Sequence, residues 1–173
     1  VTYKIYEDGT ALFTALDSGS LDLVAHLTMD QVNNLSNGYK VLEGTMNLVQ
    51  ALYLNNAEKP FDDVRVRQAL CYAVDVDSIL ELTADGHGTK LGSSMYPAFT
   101  KYFDDSLTDY YSYDPEKAKT LLAEAGYPNG FAMTITVPSN YTPHVDVAQV
   151  LVEQLAAVGI TAQLQEVEWN TWL

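Results

Sequence analysis

The sequence predicts an α/β fold, and three observations carry that reading. Segments whose apolar residues recur at helical spacing alternate with short apolar runs of strand length. The helical segments open on Asp or Thr and close on Gly, as capped helices do. The 173 residues are 47% apolar with a mean hydropathy of −0.07, enough material for a real core.

In chain order, residues 2–6 read as a short strand. Asp8 and Gly9 turn into a helix carrying Ala11, Leu12, Ala15 and Leu16, ended by Ser18–Gly19–Ser20. Residues 21–27 read as a second strand. Thr28 and Asp30 open a short helix through Leu35, closed by Asn37–Gly38. Residues 39–45 and 48–54 are further strand candidates. Asp62 or Asp63 caps the next helix, whose buried stripe is Val66, Ala69, Leu70, Ala73 and Val74. Asp75 caps another over 76–83. Residues 84–107 hold no period and are rich in Gly, Ser and aromatics, a run that is more often functional than not.

The stretch from Asp114 to Gly126 is a complete helix statement. Asp114 is the cap, Pro115 takes the first position, Ala118, Leu121, Leu122 and Ala125 face inward, and Gly126 closes it. A strand over 131–137 and an amphipathic helix over 144–158 follow, the helix with Val147, Ala148, Leu151, Leu155 and Val158 inward. Gly159 breaks it before a strand over 160–167.

Charge narrows the partners. There are 23 acidic against 9 basic residues, a net −14. That field repels phosphate backbones and anionic lipid heads, so nucleic-acid and peripheral membrane binding are disfavoured. No run approaches the ~18 apolar residues of a membrane span. The single cysteine, Cys71, falls on the apolar helix after residue 63 and reads as a buried, inert thiol.

Chemistry of transformation is not indicated. Ser93 and Ser94 lack a strand–elbow–helix setting. Cys71 and His87 have no spacing that implies pairing. His26, His87 and His144 are dispersed, so no metal cage is expected, and Gly86-x-Gly88 lacks the third glycine of a dinucleotide site. We expect a non-enzyme with no cofactor. Arg65 and Arg67 have the geometry to grip carboxylates, yet in a chain this acidic they are expected to form structural pairs.

Three motifs in order point further. Leu16–Asp17–Ser18–Gly19–Ser20–Leu21–Asp22–Leu23 comes first. The run from Asn55 through Lys59–Pro60–Phe61–Asp62–Asp63–Val64–Arg65 to Leu70 comes second. Tyr113–Asp114–Pro115–Glu116–Lys117–Ala118 through Leu121–Leu122–Ala123–Glu124–Ala125–Gly126–Tyr127 comes third. Together they resemble the extracytoplasmic solute-binding proteins of the peptide/nickel class (family 5), the receptors of ABC importers. The stretch ending in Glu168–Trp169 is similar to the family's continuation.

The resemblance implies a fragment of a two-lobe, periplasmic-binding-protein-like (type II) receptor with a mixed sheet and flanking helices. Residues 1–46 resemble the end of the first lobe. Residues 47–173 resemble most of the second, ligand-binding lobe, truncated at its C-terminus, so the chain reads as a piece of something longer. It implies capture of an oligopeptide or other small solute, delivery to ABC permease subunits by lobe closure, and a location in the periplasm or on a cell-surface lipoprotein anchored outside this piece. A small α/β enzyme domain and a ligand-sensing receptor of the same fold are the alternatives.

It also points to site residues. Asn47 and Gln50 lie where the family's chain crosses between lobes. Ser93, Ser94, Met95 and Tyr96 match its cleft-lining loop. Tyr141 and His144 sit between a strand and the next helix, within about one residue of where oligopeptide binders place a histidine on the peptide carboxylate. The unpaired strand edges of the first segment lead us to expect a homodimer or swapped assembly of the piece.

Overall fold

The computed structural model describes residues 1–36 and 38–173. The predicted closure of the second helix at Asn37–Gly38 rests on Asn37, which lies outside them. The chain separates into two compact units, Val1–Thr45 and Met46–Leu173.

The first unit holds two short helices, α1 (Gly9–Asp17) and α2 (Met29–Asn33). Asp8 caps α1 by accepting from the Ala11 N–H. Thr28 and Gln31 cap α2 reciprocally, each side chain taking the other's backbone N–H. Polar ties join the helices: Gln31 Nε2 donates to the Gly9 carbonyl at 3.1 Å, and Ser36 Oγ donates to Asp17 at 2.6 Å.

The second unit begins its regular structure with α3 (Val64–Ala73), capped by Asp63, and α4 (Val76–Ala84), capped by Asp75. After a long connection come α5 (Pro115–Glu124), β1 (Ala132–Pro138), α6 (Thr142–Ala156), β2 (Thr161–Val167) and a final turn of helix, α7 (Trp169–Trp172). β1 and β2 pair in parallel, with Ala132 opposite Thr161 and Pro138 opposite Val167. A parallel pair needs a crossover, and α6 supplies it.

One core organises this unit. Val66, Ala69, Leu70 and Ala73 of α3 pack with Ala118 and Leu122 of α5, small residues letting the two helices approach. Ala148, Leu151 and Leu155 of α6 cover Ile135 and Val137 of β1 and Ala162 of β2. On the strands burial alternates, with Thr134, Thr136, Gln163 and Gln165 exposed, so one sheet face is polar.

A helix cap and one close backbone approach precede the two strands. α5 ends with the Gly126 N–H on the Ala123 carbonyl and the Tyr127 N–H on that of Leu122, with Gly126 at φ 94°. Gly130 and Gly159, just before the two strands, meet backbone to backbone, and a Cβ on Gly130 would lie 1.9 Å from the Gly159 oxygen.

Several expectations need correction. No ladder forms over 2–6, 21–27, 39–45 or 48–54, so among the described residues the sheet is two parallel strands and not mixed. Strand character in these segments requires a partner strand, and among the described residues none pairs with them. Cys71 is exposed, since it falls one residue beyond the buried stripe of α3. Leu121 is half-buried, and Leu122 is the core residue of α5. Of the two arginines, Arg65 forms the expected structural pair with an acid and Arg67 bonds backbone carbonyls instead. Arg65 pairs with Asp63 at 2.6 Å and donates to the Glu124 carbonyl, while Arg67 donates to the Phe61 carbonyl.

Leu122→Ala is expected to lower unfolding stability by about 2–5 kcal/mol, the range for large-to-small core changes. Gly130→Ala should also destabilise strongly, whereas Gly44→Ala, with nothing within 4 Å, should not. Chemical denaturation checks both. A Gly130→Ala midpoint equal to wild type would mean the glycine pair constrains nothing.

Candidate functional site

In open α/β layers, the loops beyond the carboxyl ends of parallel strands are where side chains converge on ligands. β1 ends at Pro138 and leads through Tyr141 into α6; β2 ends at Val167 and leads through Glu168 into α7. The Ser139 N–H donates to the Val167 carbonyl at 2.8 Å, which holds the two exits together.

Tyr141 precedes α6 without a side-chain cap bond, and His144 lies in the first turn. Their rings are 4.5 Å apart, the His144 ring is 6.0 Å from Trp172, and Trp172 is 5.5 Å from Trp169. Glu168 caps α7 by accepting from the Asn170 N–H and so fixes both tryptophans. Gln50 reaches the same place from far away in sequence, its amide donating to the Pro143 carbonyl at 3.0 Å. The structure thus gathers Gln50, Tyr141 and His144, and adds Trp169 and Trp172, which sequence reasoning missed. The signal was present: the chain's two tryptophans stand three apart directly after a strand.

Burial pulls the His144 imidazole below its ordinary value, since desolvation disfavours the charged ring. Its backbone N–H already bonds the Tyr141 carbonyl at 3.0 Å. Asp146, also partly buried, is pushed up by the same cause.

Ser93, Ser94, Met95 and Tyr96 form a separate loop. Ser93 Oγ accepts from the Met95 N–H at 3.2 Å, and Tyr96 stacks on Phe99 at 4.6 Å. Among the described residues no hydrogen bond or ring contact joins this loop to the His144 cluster. Its start is pinned. Gly92 lies so close to the Leu107–Thr108 backbone that a Cβ would sit 1.7 Å from the Leu107 oxygen. Lys90 bridges Asp77 of α4 at 3.1 Å and Asp109 at 3.0 Å, and these partners raise its pKa. Asn47 is exposed, three residues before Gln50.

Comparison with known proteins bears on this arrangement. The family model described as bacterial extracellular solute-binding proteins, family 5 Middle, matches residues 1–173. Heme-binding protein A of Haemophilus influenzae is 36% identical over 173 residues, 96% of this chain and 31% of its own length. The dipeptide-binding protein of Escherichia coli K12 is 40% identical over 126 residues, 70% of this chain and 23% of its own. The structure of the solute-binding protein MoaA of A. tumefaciens R10 in complex with mannopinic acid superposes with a TM-score of 0.80 at 28% identity, covering 98% of this chain and 34% of that one. The chain therefore spans about a third or less of the proteins it resembles.

The lowered His144 pKa has a consequence in solution. Its folded pKa is lowered from 6.5, so the unfolded state binds more protons in the window just below that value. Stability from this residue is full above the unfolded pKa and is lost as pH falls through the window. NMR titration of the ring should place His144 below 6.5, and His144→Gln should flatten the acid limb of the stability profile. A titration midpoint at or above the ordinary value would contradict the burial.

Proposed function

The chain belongs to the bacterial extracellular solute-binding proteins of family 5, and we propose that it is the core of the substrate-binding component of an ABC importer. In this reading it captures a peptide or similar small solute outside the cytoplasmic membrane and hands it to permease subunits. It binds its solute and does not transform it. The observation that carries the reading is the family match over the whole chain, joined to a set of polar and aromatic side chains at the carboxyl ends of β1 and β2.

We assign residues 1–46 to the end of the first lobe and 47–173 to the second. We assign Gln50, Tyr141 and His144 to one wall of the ligand face, and Asn47 and the separate loop of Ser93, Ser94, Met95 and Tyr96 to further ligand contacts. Relatives named for heme and dipeptide binding, and a neighbour solved with mannopinic acid, support a small organic solute as the class. Closure follows from differential affinity: a solute touching both lobes stabilises the closed state over the open one. The parent is placed in the periplasm or at the cell surface as a lipoprotein. Exposed Val41 and Leu42 in the first unit, and Leu48 and Tyr53 in the second, are surfaces that support self-association of the isolated piece.

Thermal-shift screening of the full-length receptor against peptides, heme, opines and metal chelates tests the proposal. One class should raise the melting temperature in a dose-dependent way. The isolated 173 residues should bind the same solute much more weakly, because a pocket needs walls on both sides. No shift with any class, or micromolar binding by the piece alone, would overturn it.

A further inference from the structure

The segment over 92–107 starts and ends at one point. Gly92 lies against the Leu107 carbonyl and the Thr108 nitrogen, where a Cβ would sit 1.7 Å from that oxygen and 2.6 Å from that nitrogen. Just before the glycine, Lys90 Nζ pairs with Asp109, just past the return, at 3.0 Å. One neck is thus closed twice, by backbone contact and by an ion pair. Between these ends the segment packs on itself. The Phe99 N–H donates to the Tyr96 carbonyl at 2.9 Å, the Tyr102 and Phe103 N–H groups both donate to the Phe99 carbonyl, and the Tyr96 ring lies 4.6 Å from that of Phe99. Ends that meet and a filling supplied by its own side chains make this an Ω-loop, a loop type that frequently carries function.

The neck is fastened to the scaffold on both sides. Lys90 also pairs with Asp77, in the first turn of α4, at 3.1 Å. α4 in turn is held on α6 by Gln154, whose amide oxygen accepts from the Asp75 N–H. Past Asp109, the Tyr111 ring meets Tyr72 of α3 edge-on at 5.2 Å, and Gln68 of the same helix donates to the Tyr111 hydroxyl. Lys90 is therefore the side chain on which α4 and the return of the loop converge. Both of its carboxylate partners are exposed, and pairs of that kind contribute little to unfolding stability. What the lysine fixes is the geometry of the neck.

We propose that Lys90 is a positioning residue for solute binding: by tying Asp77 to Asp109 it closes the neck of the 92–107 loop and so sets where Ser93, Ser94, Met95 and Tyr96 stand. The inference rests on the receptor reading and on the assignment of those four residues to solute contacts, and it deepens both by naming what holds them in place. Lys90 acts through the loop and touches no solute itself. An open neck gives the loop many placements, only a fraction of them competent to bind, and apparent affinity falls by that fraction.

Amide hydrogen exchange and calorimetry on the full-length receptor test this with Lys90→Met, Lys90→Arg and Asp109→Asn. The calorimetric probes are the Met-Leu dipeptide, glutathione, heme and mannopinic acid, together with any metal chelate that shifts the melting temperature, and affinities are compared for whichever binds the wild type. Lys90→Met should speed exchange at Phe99, Tyr102 and Phe103 while Leu122 and Ile135 stay unchanged. It should weaken probe binding by about three- to tenfold, the scale of one or two exposed ion pairs. Lys90→Arg, which keeps the charge, should restore both readouts. Asp109→Asn should also weaken binding, and should add little in the Lys90→Met background, because the two residues act as a pair. Wild-type affinity in Lys90→Met, a lower melting temperature with loop exchange unchanged, or full additivity of the two substitutions would overturn the proposal. So would a loss of affinity that Lys90→Arg does not restore. A receptor that binds no solute of any class would instead remove the receptor reading itself, and this inference with it.

Discussion

The parallel pairing of β1 with β2 is the interaction on which the second unit depends. Two parallel strands cannot be joined by a tight turn, so α6 must cross over and lie on them, and Ala148, Leu151 and Leu155 make that contact. At the amino ends, Gly130 and Gly159 bring the backbones together at a distance only glycine permits. At the carboxyl ends, the same pairing places the start of α6 beside α7. Tyr141, His144, Trp169 and Trp172 meet because the strands are parallel and equal in length. An antiparallel arrangement would send the two exits to opposite ends.

Helix ends close the helices of both units, and a few long-range polar contacts set the rest of the second unit onto this layer. Gly19, Gly126 and Gly159 each close a helix in the left-handed region, with paired backbone bonds satisfying the last carbonyls. Gln154 of α6 acts as a backbone surrogate: its amide oxygen accepts from the Asp75 N–H at 3.0 Å and its nitrogen donates to the Asp75 carbonyl at 3.2 Å. That clasp sets the start of α4 on α6. Lys90 then links α4 to Asp109, so the loop carrying Ser93 to Tyr96 is anchored at both ends. A lysine bridging two exposed carboxylates adds little to stability, since such surface pairs are each worth about 0–1 kcal/mol. Its effect is on where the loop lies.

The sequence made the locally determined parts legible. Asp8, Thr28, Asp63, Asp75 and Asp114 all cap helices, because a short acceptor side chain before an apolar period has one favourable use. The strand–helix–strand run from Ala132 to Val167 was legible for the same reason: period and breaker agree at Gly159. Segments 39–45 and 48–54 carry strand-like composition yet form no ladder, since pairing is a property of two segments and composition reports one. Cys71 differs from Leu70 only by a 100° step around α3, enough to move it from core to surface. Of the site, Tyr141 and His144 were legible as residues between a strand and a helix. Trp169 and Trp172 required knowing that two strand exits adjoin, and Lys90 required knowing which acids face it.

The scaffold is built from alternating strands and helices, and the proposed ligand face is the single edge of it where β1 and β2 end. Amide hydrogen exchange on the full-length receptor, with and without the solute found by thermal shift, measures this most directly. Solute should slow exchange at Gln50, across 139–145 and across 168–173, while the polar sheet face at Thr134 and Gln163 stays unchanged. Protection confined to the sheet face or to the first unit, with the strand exits unaffected, would contradict a ligand face at the carboxyl ends of β1 and β2.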